Sequence, residues 1–489
     1  MSVALGELVT DEPPHRRWDH QQRAIEKMSG RAAFALFMDM RTGKTKVVLD
    51  EFSDLVVTGK LSQLLVVAPA GAYRTWEGAA REHLSPAMLR RSALATWAAG
   101  DSQKATDKLK AFLGRPGPKI LLVNVEALSG VERAQDLCLT FVKAAPTMVV
   151  VDESTTIKDK ATKRTRFCMR LAPHATMRRI LSGLPTPQSP LDLYSQFAFL
   201  DQSILGFSFA AFRARYAIMK RVPFGPGRRM IDVVDGYHNL EHLQQTIEPH
   251  SFRVRLDECY DLPPKMYIRR EVDMTSEQEK FYAQMKKYAR VQLEQEESVT
   301  ATIVLVQILR LHQVLSGHVT TDDGNLIDVA EGKTEETLKI LAEHPPPKKA
   351  VIWVAYDRSV GKVADALTKT YGAGIVARFW GGNSSEREAE EWRFRRDPRC
   401  RFMVATAASG GRGRTWSEAD LVIYYANTHS LEHRLQSEER PQAIGKTQSV
   451  AYFDLVCPGT VEDKILTALR AKMSLSDAIT GDDWREWVV

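Results

Sequence analysis

Cysteine is scarce in this chain, and long apolar runs are absent. The 5 cysteines, at positions 138, 168, 259, 400 and 457, are scattered, and no two form a Cys-x-x-Cys pair. This pattern argues against a disulfide framework and against a structural zinc site. The longest apolar runs, AAFALFM and TMVVV, are far shorter than the roughly 20 residues that span a bilayer. We therefore expect no membrane insertion.

Positive and negative side chains are nearly equal in number. The N-terminus shows no basic segment followed by an apolar one. No secretory signal is predicted, and a cytoplasmic protein is expected. The net charge of +6 is too small to identify a partner. Positive charge is concentrated in KDKATKRTRFCMR (158–170) and RFRRDPRCR (393–401). Such runs are solvated faces more often than nucleic-acid surfaces.

Two halves of the chain share a rhythm of short β-branched apolar runs separated by segments typical of helices. The runs are LLVVAP (64–69), KILLVNV (119–125), TMVVVDE (147–153), RRILSG (178–183), KAVIWVAY (349–356), GIVARFW (374–380), RFMVAT (401–406), DLVIYY (420–425) and SVAYFDLV (449–456). This alternation predicts an α/β fold with two parallel sheets covered by helices. Residues 275–343 between them are predicted to be helical.

The stretch FMDMRTGKTKVVLD (37–50) resembles a phosphate-binding loop, with Met38 where the strict pattern has its first glycine. Gly43 permits close backbone approach, Lys44 supplies positive charge, and Thr45 supplies a hydroxyl ligand for Mg²⁺. An apolar run precedes the loop and a sequence compatible with a helix follows it. The stretch predicts a nucleotide site.

A second stretch, MVVVDESTTIKD (148–159), ends a predicted buried strand with two adjacent carboxylates. Asp152 is suited to hold Mg²⁺, and Glu153 is suited to orient or deprotonate a water molecule. Taken alone, the stretch is also compatible with a capped helix start, with Asp152 as the N-cap residue. Together with the loop, it predicts a nucleoside triphosphatase.

The order of the remaining segments resembles the motif series of helicase superfamily two, and specifically its Swi/Snf-type DNA-translocating ATPases. The segments are HQQRA (20–24), VVAPAGAYRTWEGAA (66–80), VNVEAL (123–128), RRILSGLPTPQSPLDLYSQFAFLD (178–201), DLPPK (261–265), ILRLHQVLSG (308–317), VATAASGGRGRTWSEADLVIYY (404–425) and QSEERPQAIGKTQSVAYFDLVCPGTVEDKI (436–465). The resemblance covers roughly residues 15–475.

The resemblance implies two RecA-like parallel-sheet lobes with inserted helical segments. The implied domains are a first lobe over 1–265 with a helical insertion at about 201–260, a helical protrusion over 266–345, and a second lobe with a C-terminal brace over 346–489. A compact chain of this type fits a bacterial or bacteriophage protein, with a role in replication, recombination or repair.

The resemblance also implies ATP and Mg²⁺ as cofactors. The residues implied for ATP binding are Gln21, Arg41, Thr42, Gly43, Lys44, Thr45, Gly411, Gly413 and Gln436. Among them, Gln21 is in the position of the glutamine in the family's adenine-reading Q motif. Those implied for catalysis are Lys44, Asp152, Glu153 and Arg440, with Thr45 and Asp152 as metal ligands. The family has a second arginine where this chain has Ala443. Either Arg440 suffices, helped by Arg412, Arg414 or Arg434, or hydrolysis is slow.

DNA is the implied partner, bound through its backbone without sequence preference, and a monomer is the default. The candidate contacts are Pro69, Lys158, Lys163, Arg164, Thr406 and Gly410. Trp380 and Trp416 are compatible with base stacking, although core packing is favoured for both. Two alternatives stay open: an RNA-acting helicase of the same superfamily, and an ATP-gated nucleic-acid clamp with little hydrolysis.

Overall fold

The structure, a computed structural model, describes residues 16–70, 72–98, 103–224, 229–260, 263–295, 301–320, 325–344, 346, 348–409, 415–443 and 446–480. These residues divide into two compact units. The first unit comprises the described residues within Met1–Ile218, Gly236–Asp261 and Ser474–Val489. The second unit comprises those within Met219–Asp235 and Leu262–Met473.

The strands are short, and most of them coincide with the apolar runs of the sequence. In chain order they are β1 (Ala33–Met38), β2 (Gln63–Ala68), β3 (Ala93–Thr96), β4 (Lys119–Asn124), β5 (Thr147–Asp152), β6 (Met177–Ser182), β7 (Ala217–Phe224), β8 (Arg229–Tyr237), β9 (Ser251–Val254), β10 (Met266–Glu271), β11 (His318–Thr320), β12 (Leu326–Asp328), β13 (Lys349–Val354), β14 (Val376–Phe379), β15 (Phe402–Thr406), β16 (Ala419–Tyr424) and β17 (Ala451–Val456).

The helices alternate with these strands along both halves of the chain. In chain order they are α1 (Asp19–Met28), α2 (Lys44–Val57), α3 (Thr75–His83), α4 (Pro86–Arg91), α5 (Gln103–Gly114), α6 (Glu132–Ala144), α7 (Lys163–Leu171), α8 (Leu193–Leu200), α9 (Gln202–Leu205), α10 (Phe209–Tyr216), α11 (Leu240–Ile247), α12 (Leu256–Cys259), α13 (Ser276–Gln295), α14 (Ala301–Leu315), α15 (Lys333–Ala342), α16 (Asp357–Tyr371), α17 (Arg387–Arg396), α18 (Leu431–Glu438) and α19 (Val461–Thr480). In the described part of the chain, no helix is both long enough and apolar enough to cross a membrane.

The first unit is built on a 7-stranded sheet with the order β3-β4-β2-β5-β6-β1-β9, and every strand pair in it is parallel. Both faces are covered, which explains why its strands are apolar throughout instead of alternating. Along β1, Phe34 and Leu36 pack in one core cluster while Ala35 and Phe37 pack in the other. Successive side chains of a strand point to opposite faces. The sheet therefore divides two cores.

The second unit is built on a 6-stranded parallel sheet with the order β10-β17-β16-β13-β15-β14. Two separate cores again cover its faces. A further small core is formed by residues of α13, α14 and β11, among them Tyr282, Val314 and Val319. The predicted α/β fold class is confirmed in its two parallel-sheet units with inserted helical segments.

Several elements differ in type from the sequence prediction. The span 201–260, predicted as a helical insertion, contains the two-stranded sheet of β7 and β8 and also β9, which pairs with β1. The span predicted to begin a helical protrusion at 266 instead begins with β10. The sequence Met266–Glu271 has no buried apolar pattern because β10 is a largely exposed edge strand. The domain boundaries stay predictions.

Candidate functional site

The predicted phosphate loop lies at the carboxyl end of β1, and the predicted carboxylate pair lies at the carboxyl end of β5. Only β6 separates these strands in the sheet. Because the sheet is parallel, all three carboxyl ends meet at one edge. Gly183 is the residue directly after β6, and a Cβ added there would lie 3.7 Å from both the Asp39 Cα and the Met40 backbone nitrogen. The segment after β6 therefore passes directly beside the loop.

The loop uses left-handed backbone at two positions. Gly43 has φ 88°, and Arg41 has φ 68°, which is uncommon for a residue with a side chain. A Cβ on Gly43 would lie 2.2 Å from Nε2 of Gln21. The left-handed backbone thus favours glycine at position 43, and any side chain there would also displace the Gln21 amide. The predicted importance of Gly43 has a local physical cause.

Gln21 and His20 hold the loop from α1. Gln21 is buried, its Nε2 donates to the Thr42 carbonyl (3.2 Å), and its Oε1 accepts from the Trp18 backbone N–H (3.1 Å). His20 Nε2 also lies 2.7 Å from the Thr42 carbonyl. The Thr42 hydroxyl donates to the Asp39 carbonyl (2.7 Å). Gln21, predicted to read the adenine, is placed here against the phosphate loop.

Lys44 is the first residue of α2, and Thr45 follows it. The Lys44 ammonium donates to the Met38 carbonyl (2.5 Å) and to the Asp39 carbonyl (2.9 Å). An ammonium has three donors, so one remains beyond these two bonds. Lys44 lies at the N-terminus of a helix of 14 residues, where backbone N–H groups and the helix dipole favour anions. This arrangement fits a phosphate group.

Asp39 was not predicted as a site residue, yet it fixes the loop to β9. Its Oδ2 accepts from the Leu256 backbone N–H (3.0 Å), and its Oδ1 lies 3.6 Å from the Arg253 guanidinium. Its carbonyl accepts from Lys44 and Thr42, as above. The only sequence signal is its position directly after the apolar run of β1. The pairing of β9 with β1 explains the contact, and that pairing is invisible in the sequence.

Asp152 ends β5 with its side chain half-buried, and Glu153 follows with left-handed backbone, φ 50°. Asp152 Oδ1 accepts from the Glu153 backbone N–H (2.9 Å), and Oδ2 accepts from the indole Nε1–H of Trp76 (2.9 Å). Each carboxylate oxygen has two lone pairs, so each retains one. The alternative role of Asp152 as a helix N-cap is not what the structure shows, because the short 3-10 helix Ser154–Ile157 has Glu153 at that position.

The segment after the carboxylates is tied to the segment after β6 by Gln196 of α8. Its Oε1 accepts from the Ser154 hydroxyl (2.6 Å), and its Nε2 donates to the Pro185 carbonyl (2.7 Å) and to the Asp192 carbonyl (2.8 Å). Gln196 is fully buried. Gln196 was not predicted as a site residue, since a lone glutamine in an apolar helix carries no signal until its partners are known.

The donor set at this edge fits Mg²⁺. The Thr45 hydroxyl and the Asp152 carboxylate are hard oxygen ligands, which Mg²⁺ prefers, and Mg²⁺ commonly uses one or two carboxylates together with substrate phosphates. Across the described residues, no cluster of three or more His, Cys, Asp or Glu side chains could hold a metal by itself. A site completed by phosphate and water is therefore the type that the residues suit.

The predicted nucleic-acid contacts of the first unit lie after β2 and β5, which are neighbours in the sheet. Pro69 is buried, and its carbonyl accepts from Ala72 and Tyr73, so the adjacent exposed Ala70 is the more accessible position. Lys158 lies 3.9 Å from the Asp192 carboxylate. Lys163 is exposed and Arg164 is half-buried on the first turn of α7. These candidates stay predictions.

In the second unit, Arg440 is 2% exposed. Its guanidinium carbon lies 5.4 Å from the centre of the Trp416 ring, and its carbonyl accepts from the Trp416 backbone N–H (2.8 Å). Trp416 is fully buried between Trp353 and Phe379, and its indole donates to Glu391 (2.9 Å). Trp416 is thus a core residue, which was the favoured expectation.

Arg434, considered as a helper of Arg440, belongs to a buried charge network. Its guanidinium donates to Glu438 (2.6 Å), to Asn427 (2.7 Å) and to both oxygens of Asp454. Burial opposes its charge, but Tyr424, Glu438 and Asp454 outweigh burial and raise the pKa of Arg434 well above its ordinary value. This arginine is committed to the fold of the second unit.

The other second-unit candidates are placed separately. On α18, Gln436 Nε2 donates to Glu432 (3.3 Å). Thr406 ends β15 and is 4% exposed, and its hydroxyl has no hydrogen-bond partner in the part of the chain that the structure describes. Trp380 packs partly buried against the core. Gly410, Gly411, Arg412, Gly413 and Arg414 lie outside the described residues.

The basic run 393–401 is explained mainly by intramolecular pairing. Arg395 pairs with Glu418 (3.2 Å), Arg399 pairs with Asp397 (3.3 Å), and the Arg401 guanidinium donates to two backbone carbonyls. These contacts favour a structural role for the run.

Comparison with known families assigns the chain to a class. A model described as the SNF2-related domain matches residues 20–318, and one described as the helicase conserved C-terminal domain matches residues 332–448. The first match alone covers more than half of the chain. The chain belongs to the SNF2-related family.

Individual relatives are distant and longer. The chain is 24% identical over 352 residues to a Bacillus subtilis protein named as an ATP-dependent helicase/translocase, covering 69% of this chain and 36% of that protein. It is 24% identical over 424 residues to a Xenopus tropicalis SWI/SNF-related matrix-associated actin-dependent regulator of chromatin, subfamily A-like protein 1, covering 84% of this chain and 40% of that protein. It is also similar to the solved Sulfolobus solfataricus SWI2/SNF2 ATPase core in complex with dsDNA, with 21% identity and a TM-score of 0.42 over 96% of this chain and 94% of that chain. The chain thus spans about 36–40% of the length of these two curated relatives.

Proposed function

We propose that this protein is a DNA-dependent ATPase that couples ATP hydrolysis to translocation on, or remodelling of, duplex or branched DNA. One observation carries the proposal. In a chain of the SNF2-related family, the parallel sheet of the first unit brings the loop Asp39–Gly43 and the carboxylates of Asp152 and Glu153 to one edge, with a single strand between them.

The roles follow from the donors and acceptors at that edge. The Lys44 ammonium and the N-terminal N–H groups of α2 bind the phosphates, and Thr45 and Asp152 hold Mg²⁺. When bound, Mg²⁺ neutralises charge on the phosphate oxygens and orients them. Glu153 orients the attacking water and accepts its proton. Arg440 stays the proposed arginine that stabilises charge in the transition state, and Gln21 the proposed adenine contact.

The nucleic-acid contacts proposed for this function are the segment after Pro69, the basic run from Lys158 with Lys163 and Arg164, and Thr406 with Gly410. Hydroxyls, backbone N–H groups and lysine or arginine heads bind phosphate without reading bases. A motor that moves along DNA needs such contacts. A role in replication, recombination or repair, within a bacterial or phage-infected cell, is part of the proposal.

The test is steady-state ATP hydrolysis by the purified chain without nucleic acid and with single-stranded DNA, duplex DNA, a four-way junction or RNA. Strong stimulation by duplex or junction is expected, with a loss of roughly 10²–10³-fold in Lys44→Ala, as for removal of a charge-stabilising donor. The control is Lys60→Ala, which removes an exposed lysine just beyond α2. A Lys44→Ala rate equal to that of Lys60→Ala contradicts the proposal. Stimulation by RNA and by none of the DNAs would identify RNA, and not DNA, as the nucleic acid on which the protein acts.

A second candidate function, an ATP-gated clamp that hardly hydrolyses, is favoured by the second unit. Arg440 is buried against Trp416, and Ala443 stands where the family has its other arginine. A stimulated rate above about 1 s⁻¹, the lower end of ordinary turnover, rules this function out. A near-zero rate in every reaction supports it, provided that ATP and DNA still bind, and Ala443→Arg is then expected to raise the rate.

A further inference from the structure

Trp76 is almost fully buried, with 1% of its surface exposed, yet its indole N–H reaches the carboxylate proposed to hold Mg²⁺. The bond from Nε1 to Asp152 Oδ2 is 2.9 Å long. The other oxygen of Asp152 accepts from the Glu153 backbone N–H, at 2.9 Å. Two fixed donors, one on each oxygen, define the plane and rotation of the carboxylate. The indole is the only one of the two that a substitution can remove.

The residues that precede Trp76 in the sequence belong to the segment proposed to contact nucleic acid. The Pro69 carbonyl accepts from Ala72 N–H (2.8 Å) and Tyr73 N–H (3.0 Å), and the Ala72 carbonyl accepts from the Thr75 hydroxyl (2.6 Å). Trp76 follows Thr75 on the first turn of α3. A hydrogen-bonded path thus runs from the carboxyl end of β2 to the indole ring.

A second contact holds the exposed part of this segment to the neighbouring strand. The Ala70 N–H donates to Glu126 Oε2 (3.1 Å), just beyond the carboxyl end of β4. The segment is therefore fixed at Ala70 and at Trp76. Because close-packed interiors leave little room to absorb a shift, we expect a displacement of Ala72–Thr75 to reach Asp152 through Trp76.

From these contacts we propose that Trp76 is a positioning residue that holds the Asp152 carboxylate for Mg²⁺ and makes its position depend on the described residues of the segment 69–75. The proposal rests on the proposed function, since it takes Asp152 as the metal ligand. Partners that orient a metal ligand typically contribute 10–100-fold to metal affinity. Nucleic acid bound at the segment then alters Mg²⁺ binding without touching the metal site.

The chain supplies a matched control in the same unit. Trp97 is also buried, at 7% exposed, but its indole N–H has no hydrogen-bond partner among the described residues. Trp76→Phe and Trp97→Phe therefore remove the same atoms, and only the first removes a bond to Asp152. Any effect shared by the two variants reports on packing alone.

The experiment measures the Mg²⁺ concentration at half-saturation for binding of a fluorescent, non-hydrolysable ATP analogue, with and without duplex DNA. Trp76→Phe is expected to raise this concentration about tenfold or more. Analogue binding without Mg²⁺ should not change, and Trp97→Phe should match the wild type. In the wild type, DNA is expected to shift the half-saturation concentration, and in Trp76→Phe this shift should be lost.

Equal half-saturation in Trp76→Phe and Trp97→Phe overturns the positioning role, and an identical DNA shift in Trp76→Phe and wild type overturns its dependence on the segment. If Trp76→Phe melts below the assay temperature, Trp76→His, which keeps a ring N–H, is compared with Trp76→Met, which has none. We expect the histidine variant alone to show a Mg²⁺ half-saturation concentration near that of the wild type. Equal half-saturation concentrations in the two variants overturn the proposal. A wild type that binds the analogue independently of Mg²⁺ contradicts the proposed function as well, whereas a normal wild type with an unaffected Trp76→Phe contradicts the inference alone.

Discussion

Two aspartates, one in each unit, show how the same side chain serves different purposes. Asp152 accepts from an indole and a backbone N–H, both neutral, and its side chain is half-buried. Asp454 on β17 is 8% exposed and accepts from Asn427 and from the guanidinium of Arg434. Neutral donors orient a carboxylate and leave its charge for a cation, whereas a guanidinium neutralises it. The charge of the donors, and not the aspartate itself, separates the proposed metal ligand Asp152 from the structural ion pair of Asp454.

Asp152→Asn tests the first half of this comparison. We expect ATP hydrolysis to fall roughly 10²–10³-fold, because the carboxylate charge that attracts Mg²⁺ is lost. The melting temperature should stay close to that of the wild type, since the donors to Asp152 are neutral. Parallel measurement of hydrolysis and thermal unfolding checks both statements. A large fall in melting temperature would place Asp152 with the structural aspartates.

Asp454→Asn tests the second half. We expect it to destabilise the second unit by up to about 3–5 kcal/mol, because the buried Arg434 loses one of its two carboxylate partners and keeps only Glu438. Thermal or denaturant unfolding measures this, with the transitions of the two units analysed separately because a chain with two units need not unfold in one step. An unchanged unfolding curve contradicts the assignment of Arg434 to the fold.

Glu462 extends the comparison to pH. Burial alone would raise the pKa of this carboxyl, but Lys333 and His312 outweigh burial and lower it from 4.5 to about 2. A depressed carboxyl pKa stabilises the fold above the unfolded value of 4.5, and this stability is lost as pH falls from 4.5 towards 2. From the size of the shift, the contribution is on the order of 3 kcal/mol.

Glu462→Gln is therefore expected to lower stability clearly at pH 7 and to approach the wild type as pH falls below 4.5. Asp328→Asn in the same unit is the control, because Asp328 pairs with Arg358 at the surface, with both side chains more than half exposed. Exposed pairs often contribute nothing measurable. A constant difference between Glu462→Gln and wild type across this pH range contradicts the linkage.

Gln196→Leu gives the smallest expected effect. Removal of the amide leaves the Ser154 hydroxyl and the Pro185 carbonyl without this partner inside the protein, at a cost of about 1–3 kcal/mol. Unfolding measurements check this magnitude. Ser154→Ala removes only the bond to the Gln196 Oε1 atom, so it separates the two bonds. Wild-type stability in Gln196→Leu would show that water replaces both.

The sequence was sufficient for most of the parallel strands of both units, because strands covered on both faces are apolar throughout. Its motifs also identified Lys44 and Asp152, which the structure brings to one edge. It did not identify β9 or β10, because a strand of four residues and an exposed edge strand lack that apolar pattern.

The contacts that orient the site depend on strand order, which the sequence does not reveal. Trp76 and Asp152 are 76 positions apart and meet because β2 lies beside β5. Likewise, nothing in the spacing of Arg434 and Arg440 indicates that one is paired with Asp454 and the other lies against Trp416. Burial of an arginine is decided by neighbours from distant parts of the chain.

Lys44 has a consequence for product release under the proposed function. Its ammonium lies within hydrogen-bond distance of the Met38 and Asp39 carbonyls, at 2.5 and 2.9 Å. A lysine that exchanges bonds between these carbonyls and a phosphate keeps its donors occupied as the phosphate departs. The free-energy cost of phosphate release is then small, because the Lys44 ammonium exchanges its hydrogen bonds to the phosphate for similar hydrogen bonds to the two carbonyls. Under the proposed function, the loop that includes Lys44 is thereby also expected to favour repeated turnover.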